Sequence, residues 1–153
     1  MEERLDYYAI APEATKIMIE FEKYMQKTNL DPTLLELVKT RASQINGCAF
    51  CIDMHTKDAR ANGETEQRLY ALNAWRETDF YTDKERAALA LTEAVTKISE
   101  NHVSDALYEE VRKHFNEKDF IDLLFAINTI NSWNRLAITT RSVAGKYQPK
   151  GKK

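Results

Sequence analysis

From Thr33 to Gln148 the apolar residues sit in stretches of good helix formers, with no proline and only three glycines between them. Strands and hairpins need turn chemistry that this chain does not carry, so the pattern predicts a nearly all-α fold of about six to seven helices. A first helix is expected from Glu13 to Lys27, with Ile17, Ile19, Phe21 and Met25 among its apolar positions. Asp31 can cap a second helix with Pro32 at its first position, where the missing N–H costs nothing; it runs through "TLLELVKTRASQI" and stops at Gly47. A third is expected from Cys48 to Asn62, ended by Gly63. Thr65 opens a short fourth helix through Trp75, and Thr82 with Glu85 forms a capping box ahead of "RAALALTEAVTKI". Ser104 caps "DALYEEVRKHF", and Asn116 caps a long last helix through Val143.

That last helix is apolar on most sides, which predicts burial in the centre of the domain or against another subunit. Asn128, Asn131, Asn134 and Arg135 run along it at helical spacing. A satisfied structural hydrogen-bond network is the favoured reading of that polar line, and a wall of the functional cavity or a subunit contact the other. The chain is read as one domain over residues 1–147, followed by a short, basic, disordered tail over 148–153. With 43% apolar and 30% charged residues and a formal net charge of −2, nothing points to nucleic acid or an anionic membrane as a partner. The opening residues lack the basic and apolar regions of a secretory signal, and no apolar run is long enough to span a bilayer, so a cytoplasmic protein is expected.

In that compartment a disulfide framework is not expected, and a close cysteine pair reads as metal-binding or redox-active. The only two cysteines, Cys48 and Cys51, lie in "NGCAFCIDMH" with His55 on the same stretch. On a helix their offsets fall within about 60° of one another, so all three side chains share a face. Gly47 puts the cysteines in the first turn, where free N–H groups and the helix dipole lower a thiol's pKa. A sulfur three residues on can close a disulfide with little backbone movement, and His55 can accept or deliver the proton. The spacing therefore suits a redox dithiol with its own acid–base group. A c-type haem site fails, because Ile52 rather than histidine follows Cys51. Zinc held by Cys48, Cys51 and His55 with a fourth ligand remains open, as does a pair of buried structural thiols.

The wider stretch "LLELVKTRASQINGCAFCIDMHTKDARANGETEQRL" resembles the alkylhydroperoxidase D family of the carboxymuconolactone decarboxylase superfamily. Its motif is a glutamate, twelve residues before a C-x-x-C, then three residues and a histidine; Glu36, Cys48, Cys51 and His55 match it in turn. The similarity is clear from about Leu34 to Leu91, and "NTINSWNRLAI" is typical of single-domain relatives. The resemblance implies an all-helical subunit that assembles into trimers or hexamers. It implies a thiol-dependent alkyl hydroperoxidase in which Cys51 is attacked by peroxide, Cys48 condenses with the sulfenic acid to a disulfide, and His55 and Glu36 relay the proton. It implies no prosthetic group, the electrons coming from a thioredoxin-like or lipoyl-bearing protein. One departure stands out: the best-studied branch has a histidine immediately before the second cysteine, and this chain has Phe50. Decarboxylase members typically lack the cysteine pair, which disfavours decarboxylation. The alternatives are a general dithiol–disulfide oxidoreductase or redox sensor and, from another class, a metal-binding or structural oligomerisation module.

Of the remaining candidates, His102 is expected in a surface loop and His114 as a helix C-terminal cap. Tyr7, Tyr8, Trp75, Phe80 and Tyr81 are expected in the core or a subunit interface, with an apolar funnel to the thiols as the less favoured alternative.

Overall fold

Sequence punctuation sets the helix around which the others pack. The Asp31 side chain accepts hydrogen bonds from the N–H groups of Thr33 and Leu34, Pro32 fills the first turn, and Gly47 ends the helix in the left-handed region at φ 70°. The computed structural model describes residues 1–149, and among them it is all helical, with nine α-helices, one 3₁₀ segment and no strand. In order these are α1 (Tyr7–Ile10), α2 (Pro12–Met25), α3 (Pro32–Asn46), α4 (Ala49–Ala61), α5 (Glu66–Tyr70), the 3₁₀ segment (Leu72–Glu77), α6 (Asp83–Thr96), α7 (Ile98–Asn101), α8 (Asp105–Arg112) and α9 (Glu117–Thr140).

The count exceeds the expected six to seven for local reasons. Asp6 caps α1 through the N–H groups of Tyr8 and Ala9, and Pro12 begins a separate helix immediately after it. The expected fourth helix is two pieces, α5 and the 3₁₀ segment, which meet at Ala71, and Ala74 within the second leaves helical geometry at φ −119°. A single turn, α7, follows the break at Lys97. Helix α9 stops at Thr140, short of Val143, where Arg141 turns left-handed at φ 60°. The capping box at Thr82 and Glu85 and the caps at Ser104 and Asn116 form as expected. Of the expected tail, residues 150–153 lie outside the described residues.

Helix α3 packs against α4, α6 and α9 and supplies side chains to every part of the core. Leu34, Leu35 and Val38 meet Ala88 and Leu91 of α6 and Leu123 and Ile127 of α9. Leu37 meets Ala59, Leu72 and Leu89. Ala42 lies in the same cluster as both cysteines, Ile130 and Ala137. Helix α9 is less enclosed than its composition predicts: Leu123, Ile127 and Ile130 are fully buried, whereas Ile121, Phe125 and Ile138 remain 46%, 45% and 45% exposed. Its polar line splits. Asn128 faces out. Asn131 and Asn134 are buried and both accept from Asn46 Nδ2, at 2.9 and 2.8 Å, while Asn134 donates to Ser43 Oγ at 3.0 Å. Each buried amide therefore has partners, and the network ties the end of α3 to α9 beside the cysteines. Arg135 donates to the Asn131 carbonyl at 2.9 Å. Among the described residues no helix is long and apolar enough to cross a membrane.

Because Leu37 is fully buried on the central helix, Leu37→Ala is expected to lower the unfolding free energy by about 2–5 kcal/mol. Ile138→Ala, at a half-exposed position, is expected to change it by less than about 0.5 kcal/mol in urea titrations of both variants.

Candidate active site

The left-handed turn at Gly47 reverses the chain, and the Cys48 N–H closes it by donating to the Ser43 carbonyl at 2.9 Å. Cys48 is therefore the N-cap residue of α4 and Cys51 sits in its first turn. Both thiols are free and 1% exposed, and their sulfurs are 2.9 Å apart. One S–H bridges them. The N–H groups of Phe50 and Cys51 close no true capping bond with the Cys48 sulfur, yet they lie near enough to favour negative charge there. Once Cys48 is ionised the Cys51 thiol donates to it, and the Cys48 pKa is lowered to about 7, chiefly by that hydrogen bond and against the opposing effect of burial. Cys51 is pushed up by the same bond, by burial and by the charge on Cys48. The Asn134 amide reaches both sulfurs and favours their thiolate forms.

About one turn after Cys51, His55 is 5% exposed, and its Nδ1 lies 2.8 Å from Glu36 Oε2. A carboxylate can only accept, so the neutral ring places its proton on Nδ1 and leaves Nε2 as a free acceptor. Nε2 is buried and has no partner. An unpaired buried acceptor is costly, and here it belongs to the group best suited to take a proton. Glu36 reaches His55 because the α3–α4 hairpin brings positions 19 residues apart together. All four residues singled out from the motif thus gather in one place. Tyr7, Glu22, Glu36, Lys39, Cys51 and His55 are among the residues around a cavity of about 230 Å³ that Cys48 does not line. Lys39, 6% exposed, pairs with Glu22 across helices at 2.6 Å, and Glu22 also accepts from Trp133 Nε1 at 3.1 Å. Pairing offsets part of the cost of burying each charge.

The chain belongs to the carboxymuconolactone decarboxylase family. The family matches residues 12–94, a span that holds α2 to α4 and every motif residue. The chain is 55% identical over 138 residues to the uncharacterised protein YdfG of Bacillus subtilis, covering 90% of this chain and 94% of that one. Among solved structures, a protein of unknown function from Agrobacterium tumefaciens, described as a candidate antioxidant defence protein AhpD, superposes with a TM-score of 0.92 at 41% identity. That match covers 95% of this chain and 100% of the other. An uncharacterised peroxidase-related protein from Ralstonia eutropha, described as having an alkylhydroperoxidase AhpD core, shares the fold at a TM-score of 0.80 and 20% identity, over 91% of this chain and 74% of that one.

Within this family fold the aromatic expectations divide. Trp75 and Tyr81 are core residues at 4% exposure each, but Phe80 is 43% exposed and is neither core nor lining. Tyr7 and Tyr8 line the thiol cavity, with Tyr7–Tyr8 ring centroids 4.7 Å apart and Trp133 beyond them. The less favoured funnel reading therefore describes these two, because Asp6 starts a separate turn that lays them over α9. His102 is exposed, as expected. His114 approaches Glu110 Oε1 at 3.4 Å instead of acting as a cap. Glu22 and Lys39 pair between helices and leave no local signal in the sequence. Asp58 does leave one, since it lies three residues after His55 and so on its face of α4. Oxygens of Glu36 and Asp58 and a ring nitrogen of His55 lie within 4.8 Å of one another. His55 Nδ1 is bonded to Glu36 and both Asp58 oxygens accept from the Tyr147 hydroxyl, which leaves His55 Nε2 free.

Thiolate absorbance at 240 nm is expected to rise in a first step with a midpoint near 7. In Cys51→Ala, which removes the donor holding the Cys48 charge, that midpoint should climb toward the ordinary thiol value of about 8.5. An unmoved midpoint would show that the S–H bridge does not hold the thiolate.

Proposed function

We propose that this protein is a thiol-dependent peroxidase that reduces organic hydroperoxides through a Cys48–Cys51 dithiol/disulfide cycle. The observation that supports it best is the pair of free sulfurs 2.9 Å apart, of which only Cys51 lines a cavity, together with a glutamate-braced histidine that lines the same cavity and has an unpartnered ring nitrogen. Charge and access point to different sulfurs: negative charge settles on Cys48, while a substrate meets Cys51. We assign the attack to Cys51 because a nucleophile must reach the peroxide, whereas its proton has two acceptors within the site, the Cys48 sulfur and His55 Nε2.

In this reading the Cys51 thiolate attacks the terminal peroxide oxygen and the O–O bond breaks. The alkoxide takes up the thiol's proton and leaves as an alcohol, and Cys51 becomes a sulfenic acid. Cys48, already in contact, then attacks the Cys51 sulfur; hydroxide departs and is protonated to water, giving the disulfide. Glu36 orients His55 and balances the imidazolium while the proton is in transit. A partner dithiol, thioredoxin-like or lipoyl-bearing, restores both thiols by exchange. Phe50 lines the cavity where the best-studied branch carries a histidine, which leaves His55 as the histidine of this cavity wall. We further read the chain as a cytoplasmic homo-oligomer. Ile17, Phe21, Ile121 and Phe125 form an exposed apolar strip along α2 and α9, with the two phenylalanine rings 6.0 Å apart.

The deciding experiment follows consumption of cumene hydroperoxide by metal-free protein with a dithiol reductant. Cys51→Ser and Cys48→Ser are both expected to lose turnover, with a sulfenate trapped only in Cys48→Ser, and His55→Ala should slow the reaction about 100-fold. Absent turnover, with thiols still intact after peroxide, would overturn the reading. Slow peroxide reaction beside rapid exchange with a protein disulfide would instead favour a general dithiol oxidoreductase.

A further inference from the structure

A second cavity, of about 390 Å³, shares Glu22, Gln26, Glu36, Lys39 and Asp58 with the first but reaches neither cysteine. These polar side chains form a partition between the two spaces. On the far side the partition is met by Tyr147, carried there by the segment that follows α9. That segment is strapped along α4. The Gly145 N–H donates to Asp53 Oδ2 at 3.0 Å, and Lys57 Nζ donates to the Gly145 and Tyr147 carbonyls at 3.4 and 3.0 Å. Lys57 is itself held by Asp53 at 2.9 Å. The strap ends with the Tyr147 hydroxyl donating to both Asp58 oxygens, at 2.7 and 3.0 Å.

We propose that Asp58, held by Tyr147, is a third member of the His55–Glu36 proton relay, a positioning residue whose charge sets how firmly the relay holds the thiol's proton. The inference rests on the peroxidase reading above and extends it to a residue outside the motif. A carboxylate oxygen within 4.8 Å of both Glu36 and His55 acts at short range through a partly buried, poorly screened space. Its negative charge stabilises the imidazolium form of His55. Left alone, Asp58 would drift toward its neutral form, because burial and the neighbouring Glu36 both raise its pKa. The Tyr147 phenol opposes this by donating to the ionised form, and Lys39 and His55 act in the same direction. The phenol stays protonated across the working range, since burial and the Asp58 charge push its own pKa up. Tyr147 therefore works as a fixed donor that keeps Asp58 charged, not as a titrating partner.

The groups facing this pair are Glu22 from α2, Glu36 and Lys39 from α3, Cys51 on α4 and Tyr147 from the strap. All but Tyr147 are unchanged in the variants below, so a shift reports on the Asp58 charge. Removing that charge weakens the relay's hold on the thiol's proton at every pH. Removing the phenol lets Asp58 protonate at higher pH, so the same loss sets in only as pH falls.

The test follows the Asp58 carboxyl ¹³C resonance of the reduced full chain, with Asp58→Asn assigning the signal, beside the pH profile of kcat/KM for cumene hydroperoxide. Tyr147→Phe removes the donor to the ionised carboxylate, so the Asp58 midpoint is expected to rise and the acid limb of kcat/KM to rise with it. Asp58→Asn should lower kcat/KM about tenfold across the profile, and Asp58→Glu should restore most of it. An unchanged kcat/KM in Asp58→Asn, or an acid limb that stays put in Tyr147→Phe while the Asp58 midpoint moves, overturns the role of Asp58. Wild-type turnover on the same preparation separates the two failures: turnover that ignores Asp58 removes Asp58 alone, whereas no wild-type turnover removes peroxide reduction itself. Tyr147→Phe removes one hydroxyl on the periphery, so the link can still be read if Asp58→Asn folds poorly.

Discussion

One backbone turn holds the site together. Gly47 takes the left-handed conformation at φ 70°, and the Cys48 N–H bonds back to the Ser43 carbonyl. With a side chain there the conformation would be strained, although no neighbour would clash with one. The turn does three things at once. It ends α3, exposes the first N–H groups of α4 beside Cys48, and folds α4 back along α3 so that His55 meets Glu36. Sulfur chemistry and proton chemistry are thus two outcomes of a single chain reversal. Helix α3 can serve as the platform because the rest of the core is built on it.

That arrangement puts many polar groups in a dry place. Lys39, Ser43, His55, Asp122, Asn131 and Asn134 are all buried. Such groups are tolerated when they are paired, and nearly all of these are: Lys39 with Glu22, Ser43 and Asn131 through the asparagine network, and Asp122 with Lys118 and Tyr24. The exception among the site residues is His55 Nε2. In the proposed reaction this is the atom whose partner is supplied by the reacting thiol rather than by the fold.

Much of this was legible in the chain because it is local. Asp31-Pro32, Gly47, Gly63 and the Thr82–Glu85 box are punctuation whose meaning depends on a few adjacent residues, and each boundary they imply is present. The C-x-x-C-x-x-x-H spacing is local too, and with the glutamate it pointed to the right four side chains to bring together. What the chain did not disclose depends on pairs far apart in sequence. Glu22 with Lys39, Trp133 with Glu22 and Tyr147 with Asp58 meet only after the helices are packed. Tyr7 and Tyr8 were expected in the core or a subunit interface, with a funnel to the thiols as the less favoured alternative, and they border the cavity because Asp6 and Pro12 isolate them in a turn of their own. The exposed faces of α9 were likewise hidden by composition, since Ile121, Phe125 and Ile138 read the same whether or not a neighbour covers them.

The division between the two sulfurs follows from the same geometry. A helix N-cap is where backbone N–H groups favour negative charge, and the residue at that cap is Cys48. A residue in the first turn is one that a helix can present to a cavity, and that residue is Cys51. On the proposed reaction, holding a thiolate and meeting a substrate fall to two residues linked by one proton. At 2.9 Å that proton has a short path between them. The Cys51 hydrogen bond, aided by the N–H groups at the cap, lowers the Cys48 pKa to about 7, and in the proposed relay His55 and Glu36 offer Cys51 a place to leave its proton. A spacing of three residues is then more than the distance a disulfide requires: it is the smallest helical step that keeps one sulfur at the cap and turns the other to the cavity.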